Sequence, residues 1–283
     1  MSAPRFGVST HVFHEQRLTR DHLAAIAERG FEAVEVFATR THFDYHEASA
    51  CQELAQWLSD THLTLHSMHA PIVEAMKGGK WVGSFSNASG DEARRRAAIE
   101  ETRRALDAAR ITPYSHLVLH LGMPTAENVP AGDNQPAAAR RSIEELVEAA
   151  SDVDVHLALE VIPNDLSTPT ALVHLIEEEL DGVDIGICLD YGHAHLLGDV
   201  IDAVETISGH LLTTHVHDNG GKRDEHLVPF AGGIDWASAI MATQKIGYDG
   251  VLMFEVDGAG NPADVLKRAV TARDRLEKLF ITL

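Results

Sequence analysis

The sequence is poor in cysteine, in long apolar runs and in basic residues. Only Cys51 and Cys188 are cysteines among its 283 residues, which excludes a disulfide framework and a zinc site built on cysteine. No stretch approaches the roughly 18 uncharged apolar residues of a membrane span, and the N-terminal MSAPRFGVST is not typical of a signal peptide. We therefore expect a cytoplasmic protein with no membrane partner.

Basic residues are outnumbered by acidic ones. The chain has 23 Lys and Arg against 43 Asp and Glu, a formal net charge of −20. Because contacts to phosphates need clustered Lys and Arg, this balance speaks against nucleic acid as a partner. Hydrophobic residues at 45% and charged residues at 23% are ordinary for a globular chain with a large core, and they exclude a disordered, collagen-like or coiled-coil chain.

Short apolar runs alternate with longer amphipathic runs along the whole chain. The pattern predicts strands at 6–9, 33–37, 63–69, 116–121, 155–161, 184–190, 211–217 and 251–256. It predicts helices near 19–29, 47–61, 91–110, 135–151, 168–180, 197–207, 235–246 and 262–280. Eight strand–helix repeats without a linker predict parallel strands, and hence an α/β fold: a single-domain (β/α)₈ TIM barrel over residues 1–283.

Three of the predicted strand-to-helix loops are long. They lie at about 70–90, 122–134 and 218–234. In a (β/α)₈ barrel such loops all lie on the C-terminal face, where active sites are built. We therefore expect these loops to form the walls of a pocket.

Six successive predicted strands, the third to the eighth, end in a polar residue that can bind a metal. These residues are His69, His120, Glu160, Asp190, His215 and Glu255. Side chains alternate along a strand, which places this set on the face that lines the barrel interior. Mixed carboxylate and imidazole sets suit Mn²⁺, Zn²⁺, Co²⁺ or Mg²⁺, and three converging carboxylates without a cation would repel one another. A metal site is predicted.

Further polar residues lie in the loops or at the ends of the first two strands. His193 follows Asp190 in DYGH, and a capping residue in a turn is the alternative interpretation of this histidine. Asp224 and His226 form an Asp-x-His pair, for which a solvated loop is the alternative interpretation. We interpret these three as additional metal-binding or substrate-binding candidates. Glu35 and His11 end the second and first strands and are candidate substrate contacts.

Eight segments together resemble the xylose-isomerase-like TIM-barrel superfamily, in its sugar phosphate isomerase/epimerase branch, which is related to endonuclease IV. They are GVSTHVF, GFEAVEVF, HSMHAP, HLVLHLG, LALEVIP, ICLDYGHAH, HVHDNGGKRDEHLVPFAGGIDW and VLMFEVD. The resemblance covers essentially the whole chain, and the last four segments are its most specific part. Where the branch usually has Pro-Gly-x-Gly, this chain has Pro229–Phe230–Ala231–Gly232.

The resemblance implies one catalytic divalent ion: Mn, Zn, Co or Mg. Its ligands match Glu160, Asp190, His215 and Glu255. In the ketose epimerases of the family the two glutamates also form the acid/base pair, so Glu160 and Glu255 are the implied catalytic residues. His193 would contact a sugar hydroxyl or carbonyl, while His69 and His120 would shape the pocket.

The implied activity is that of a metal-dependent isomerase or epimerase in carbohydrate metabolism. Its substrate would be a small sugar, sugar phosphate or polyol ketone. The same chemistry also serves dehydratases of the dehydroshikimate or inosose type, and a non-enzymatic, metal-storing or carbohydrate-binding barrel is a further alternative. Trp81 and Phe85 suit either stacking on a sugar or an interface of a homo-oligomer. The nearby cations for a phosphate are Lys77, Lys80, Lys222 and Arg223.

Endonuclease IV provides a competing interpretation, a trinuclear zinc phosphodiesterase. Its nine zinc ligands match His69, His120, Glu160, Asp190, His193, His215, Asp224, His226 and Glu255. Three bound zinc ions would generate a hydroxide for phosphodiester cleavage. The acidic charge without a basic stripe is poorly suited to gripping a duplex.

Overall fold

Eight parallel strands close into a barrel with helices around it, so the predicted (β/α)₈ architecture is confirmed. The computed structural model describes residues 4–77, 80–125, 129–180, 182–258 and 261–282. The barrel strands are β1 (Arg5–Ser9), β2 (Ala33–Phe37), β3 (Thr64–His69), β6 (His116–Leu119), β7 (His156–Glu160), β8 (Ile185–Asp190), β9 (Leu211–Val216) and β10 (Val251–Phe254). Strands β4 (Ala75–Lys77) and β5 (Lys80–Val82) form a separate antiparallel pair.

Nine α-helices in the described part of the chain connect these strands. They are α1 (Arg20–Ala27), α2 (Ala48–Thr61), α3 (Glu92–Asp107), α4 (Pro136–Ser151), α5 (Pro169–His174), α6 (Tyr191–Leu197), α7 (Val200–Thr206), α8 (Trp236–Lys245) and α9 (Pro262–Thr282). Local sequence explains where several of them begin. Asp91 and Asp199 accept hydrogen bonds from backbone N–H groups of the first turns of α3 and α7. Helix α4 begins with a proline, at a position where the missing N–H has no helical partner to lose.

Two predicted segments differ from the structure. The loop after β3 contains the β4–β5 hairpin, and an additional helix, α6, precedes α7, which is the helix expected near 197–207. Helix α6 begins directly after β8 because the Asp190 carboxylate accepts a hydrogen bond from the His193 N–H at 2.7 Å. DYGH is thus the first turn of a helix. Gly192 is required there, because a Cβ at this position would overlap the His217 ring.

The two faces of the strands are used as their alternation predicts. Val118, Ala158 and Cys188 form a small cluster of their own, two residues before His120, Glu160 and Asp190 and thus on the same side of their strands. The intervening residues, such as Leu119 and Leu159, belong to the large core shared with the helices. Small apolar residues therefore fill the barrel beneath the polar strand ends. Within the described residues, no helix combines the length and apolarity that crossing a membrane requires.

Candidate metal centre

A first group of four buried side chains meets at the C-terminal end of the barrel: Glu160, Asp190, His215 and Glu255. One ligand atom from each lies within 4.8 Å of the others. The Nδ1 atom of His215 is 3.2 Å from a Glu160 oxygen, 3.4 Å from a Glu255 oxygen and 3.9 Å from an Asp190 oxygen. The ends of β7, β8, β9 and β10 thus bring together the four residues predicted as ligands.

A second group shares Glu160 with the first. His69 and His120 place their Nε2 atoms 3.3 and 3.0 Å from the Glu160 Oε2 atom. Neither nitrogen is aligned for a hydrogen bond, and this buried oxygen has no hydrogen-bond partner among the described residues. Ring nitrogens and an oxygen that approach closely without being aligned on one another have the arrangement of ligands around a common ion.

A third group lies beside the first and adds a histidine that the sequence reasoning missed. One Asp224 oxygen is 3.0 Å from the Nε2 atoms of both His193 and His226. His217 Nε2 is 2.9 Å from Asp190 and 3.8 Å from Asp224. His217 could have been predicted from the sequence, because the two histidines of HVH are two residues apart and therefore lie on the same side of a strand.

The outer ring nitrogens of four histidines in these groups are fixed by acceptors, which orients the inner nitrogens. His69, His193 and His226 each direct Nδ1 at a backbone carbonyl, at 2.8, 3.1 and 2.9 Å. His215 donates from Nε2 to the buried Glu35 carboxylate at 3.1 Å. Metal-binding histidines characteristically donate their second N–H in this way. The residues present therefore fit divalent metal ions.

The charges of the groups lead to the same conclusion. Burial alone would lower the pKa of His226, but the adjacent Asp224 charge and hydrogen bond raise that pKa to about 10. Burial likewise opposes the charged form of His215 and of Glu160, yet neighbouring opposite charges raise the pKa of His215 and lower that of Glu160. In the metal-free protein the carboxylates are thus balanced by protons on histidines, a role that a cation takes over when it binds.

Glu35 lies behind the first group and does not line the cavity above it. Its Oε2 atom accepts hydrogen bonds from Ser67 at 2.8 Å and from His215 at 3.1 Å, and the side chain is fully buried. Glu35 is therefore in no position to contact a substrate, contrary to the expectation from the sequence. It holds the His215 ring instead.

A second buried carboxylate organises the loop that carries Asp224 and His226. Asp218 accepts hydrogen bonds from the indole N–H of Trp236 and the backbone N–H of Phe230, both at 2.9 Å, and of Ile234 at 3.2 Å. Phe230, at the departure from Pro-Gly-x-Gly, has a left-handed φ of 71°. The Cζ atom of the Arg275 guanidinium lies over the Phe230 ring, 3.5 Å from the ring centroid.

A cavity of about 120 Å³ opens above the three groups. Glu160 and Glu255 line it, whereas Asp190 and His215 do not. The other predicted residues that line it are His11, His69, His120, His193, Asp224 and His226. Trp81 also contributes, while Phe85 lines a neighbouring cavity of about 320 Å³. The predicted phosphate contacts Lys77, Lys80, Lys222 and Arg223 are exposed and line neither cavity.

Known proteins resemble this chain over nearly its whole length. It is 29% identical to the uncharacterized protein MJ1311 of Methanocaldococcus jannaschii, across 96% of this chain and 89% of that protein. Among solved structures, a D-tagatose 3-epimerase-like protein superposes with a TM-score of 0.78 at 26% identity, covering 98% and 97% of the two chains. A D-psicose 3-epimerase superposes with a TM-score of 0.75 at 17% identity, covering 97% and 99%.

The family model of the xylose isomerase-like TIM barrel matches residues 23–278. This range contains every residue of the three groups described above and all but the first strand of the barrel. The chain therefore belongs to the xylose isomerase-like TIM barrel family.

Proposed function

We propose that the protein is a metal-dependent isomerase or epimerase of a small sugar or polyol ketone. The observation that carries the proposal is that only two of the four residues of the first group line the cavity. Asp190 and His215 lie outside the cavity lining, while Glu160 and Glu255 both face the cavity. Two residues are thus placed to hold an ion and two to reach a substrate as well. Solved structures of similar fold that are named as sugar 3-epimerases support this assignment.

A divalent ion held by the four residues of the first group would polarise a substrate carbonyl and acidify the neighbouring C–H bond. Strands β8 and β9 separate β7, which ends in Glu160, from β10, which precedes Glu255. The two carboxylates therefore approach the cavity from different sides. One carboxylate removes the proton from carbon and the other returns a proton, to the opposite face in an epimerisation or to the adjacent carbon in an isomerisation. Dehydration would begin with the same proton removal.

The proton-transfer role is tested by exchange of substrate C–H with deuterated water. A panel of ketopentoses and ketohexoses is incubated with metal-loaded protein and followed by NMR. We expect Glu255→Gln to keep its metal and to lose exchange by about 100-fold or more. Asp190→Asn provides the contrast, because it should lose metal and exchange together. Unchanged exchange in metal-loaded Glu255→Gln would show that this mechanism is wrong.

A second candidate is a trinuclear zinc phosphodiesterase, because the nine matching residues are distributed over the three groups, two of which share Glu160. Metal content per chain separates the two candidates when the protein is purified without chelator or His tag. About one Mn, Co, Mg or Zn per chain supports the isomerase. Close to three zinc ions per chain, with hydrolysis of abasic DNA or of a simple phosphodiester, supports the phosphodiesterase.

The proposed compartment is the cytoplasm, and the proposed partner is the small-molecule substrate. Both cysteines are buried as free thiols, which is compatible with reducing conditions. A homo-oligomer is compatible with the exposed Trp81 and Val82 of strand β5. Size-exclusion chromatography with light scattering measures the oligomeric state directly.

A further inference from the structure

The larger cavity, of about 320 Å³, adjoins the one that Glu160 and Glu255 face. The two cavities share the lining residues Ile72, Trp81, His120 and Pro124. A molecule that reaches from one cavity into the other would therefore pass these four side chains, with one end at the glutamates and the other in the larger space.

Most of the side chains that line the larger cavity are apolar, and its polar surface comes from Ser84, His120 and the backbone. Its apolar side chains are Ile72, Val73, Trp81, Phe85, Met123 and Pro124. The described residues that line either cavity include no Lys or Arg, and the residues outside the described ranges contain none either. A site for a phosphate group needs positive charges or directed N–H donors. The larger cavity instead favours an uncharged, apolar group.

Trp81 presents an exposed apolar surface where the two cavities meet. Its side chain lines both cavities and is still 42% exposed to solvent. The centroids of the His14 and Phe37 rings lie 5.1 and 6.0 Å from that of its ring, so both rings pack against it. An indole held in this way offers stacking area to a ligand at little further cost in conformational entropy.

We propose that the larger cavity is a substrate subsite for an alkyl or aryl substituent. The substrate class is then a keto-sugar or polyol ketone that carries an uncharged apolar group and no phosphate. The polar end of this substrate faces Glu160 and Glu255, and the apolar end packs against Phe85 and Met123. This inference rests on the proposed function for the identity of the polar end, but the apolar subsite can be tested without turnover.

The binding test uses metal-loaded protein with ¹³C-labelled methionine methyl groups. Benzyl alcohol, glycerol and inorganic phosphate are titrated separately, and Met123→Leu identifies the Met123 signal. We expect benzyl alcohol to shift that signal and the other two probes to leave it in place. Ser84→Phe, which fills the cavity from its lining, should abolish the shift, whereas the matched control Ser84→Ala should retain it. Absence of a shift with benzyl alcohol, or the same shift in Ser84→Phe or with phosphate, overturns the proposal.

The turnover test compares ketohexoses as free sugars, as phosphate esters and as O-benzyl ethers. We expect kcat/KM to be at least tenfold higher for a benzyl ether than for its parent sugar, and the ratio of the two to fall at least tenfold in Ser84→Phe. A preference for phosphate esters would overturn the apolar subsite and leave the proposed isomerase or epimerase standing. If no ketose of any class reacts although benzyl alcohol binds at Met123, the subsite stands and the proposed function fails.

Discussion

Single residues behind the metal-binding groups decide how the ligands are presented. His215 points Nδ1 toward Glu160 and Glu255, while its Nε2–H is held by Glu35, which in turn is held by Ser67. The chain thus fixes the orientation of the His215 ring before an ion binds, and the contact with Glu35 keeps the proton on Nε2 when Nδ1 binds the ion. Carboxylates in this role commonly strengthen a histidine ligand as well as orient it.

We therefore predict that Glu35→Gln weakens metal binding by roughly 10- to 100-fold. The substitution keeps the shape of the side chain and removes the negative charge that faces the His215 N–H. Competition titration with a zinc-binding dye measures the affinity, and the spectrum of the cobalt-loaded protein reports the ligand geometry. Ser67→Ala is the milder control, because Glu35 then keeps its contact with His215. Equal affinity in Glu35→Gln and wild type would contradict this role.

Among the elements, the segment 218–234 determines whether the third group forms. Asp224 and His226 lie in it. Its shape depends on the buried Asp218 at its start, which accepts hydrogen bonds from Phe230 and Ile234 near its end and from Trp236. Gly232 is also needed, because a Cβ there would overlap the Asn219 carbonyl and the Asp218 carboxylate.

We expect Asp218→Ala to lower the free energy of unfolding by about 3 kcal/mol or more, because several buried donors lose their acceptor. In the trinuclear case, zinc content should fall by about one ion per chain while the first group keeps its ion. Urea denaturation and metal analysis measure the two effects. Asp235→Ala is a matched control, since Asp235 only caps helix α8 at the surface. If Asp218→Ala has the same free energy of unfolding and the same zinc content as wild type, Asp218 has no organising role.

At the scale of the whole molecule, buried neutral histidines outside the metal-binding groups make stability depend on pH. Burial lowers the pKa of His42, His66 and His116 from 6.5 to about 4. Between these values the unfolded chain binds protons that the folded chain does not. The stability contribution of each histidine is therefore complete above pH 6.5 and is lost as the pH falls toward 4.

For His42 we predict that the stability difference between wild type and His42→Asn is constant above pH 6.5 and falls by about 1.4 kcal/mol per pH unit below it, toward pH 4. The asparagine retains a donor for the Gln16 carbonyl, which His42 contacts at 2.6 Å, but does not titrate. Urea denaturation of both proteins from pH 7.5 to 5, with chelator present, gives the difference. If the free energy of unfolding depends on pH in the same way in both proteins, His42 is not held neutral by burial.

Much of the fold and the candidate site could be predicted from local sequence. The alternation of periods specifies strands and helices, and the alternation of side chains along β7 and β8 places Glu160 and Asp190 inside the barrel. These properties depend on residues close in sequence. Helix α6 was not predicted, because Gly192 is typical of a turn in its local sequence and its packing partner, His217, is distant in the chain.

The sequence by itself determined the barrel, the family and the residues that converge at its C-terminal end, because strand periodicity and motif order are local properties. Only the tertiary structure decided which of these residues meet. It placed Glu160 between two groups, added His217 to the third and moved Glu35 from a substrate contact to a support for His215. It also revealed the apolar cavity beside the glutamates, since Phe85 and Met123 come from different loops that become neighbours only when the barrel closes.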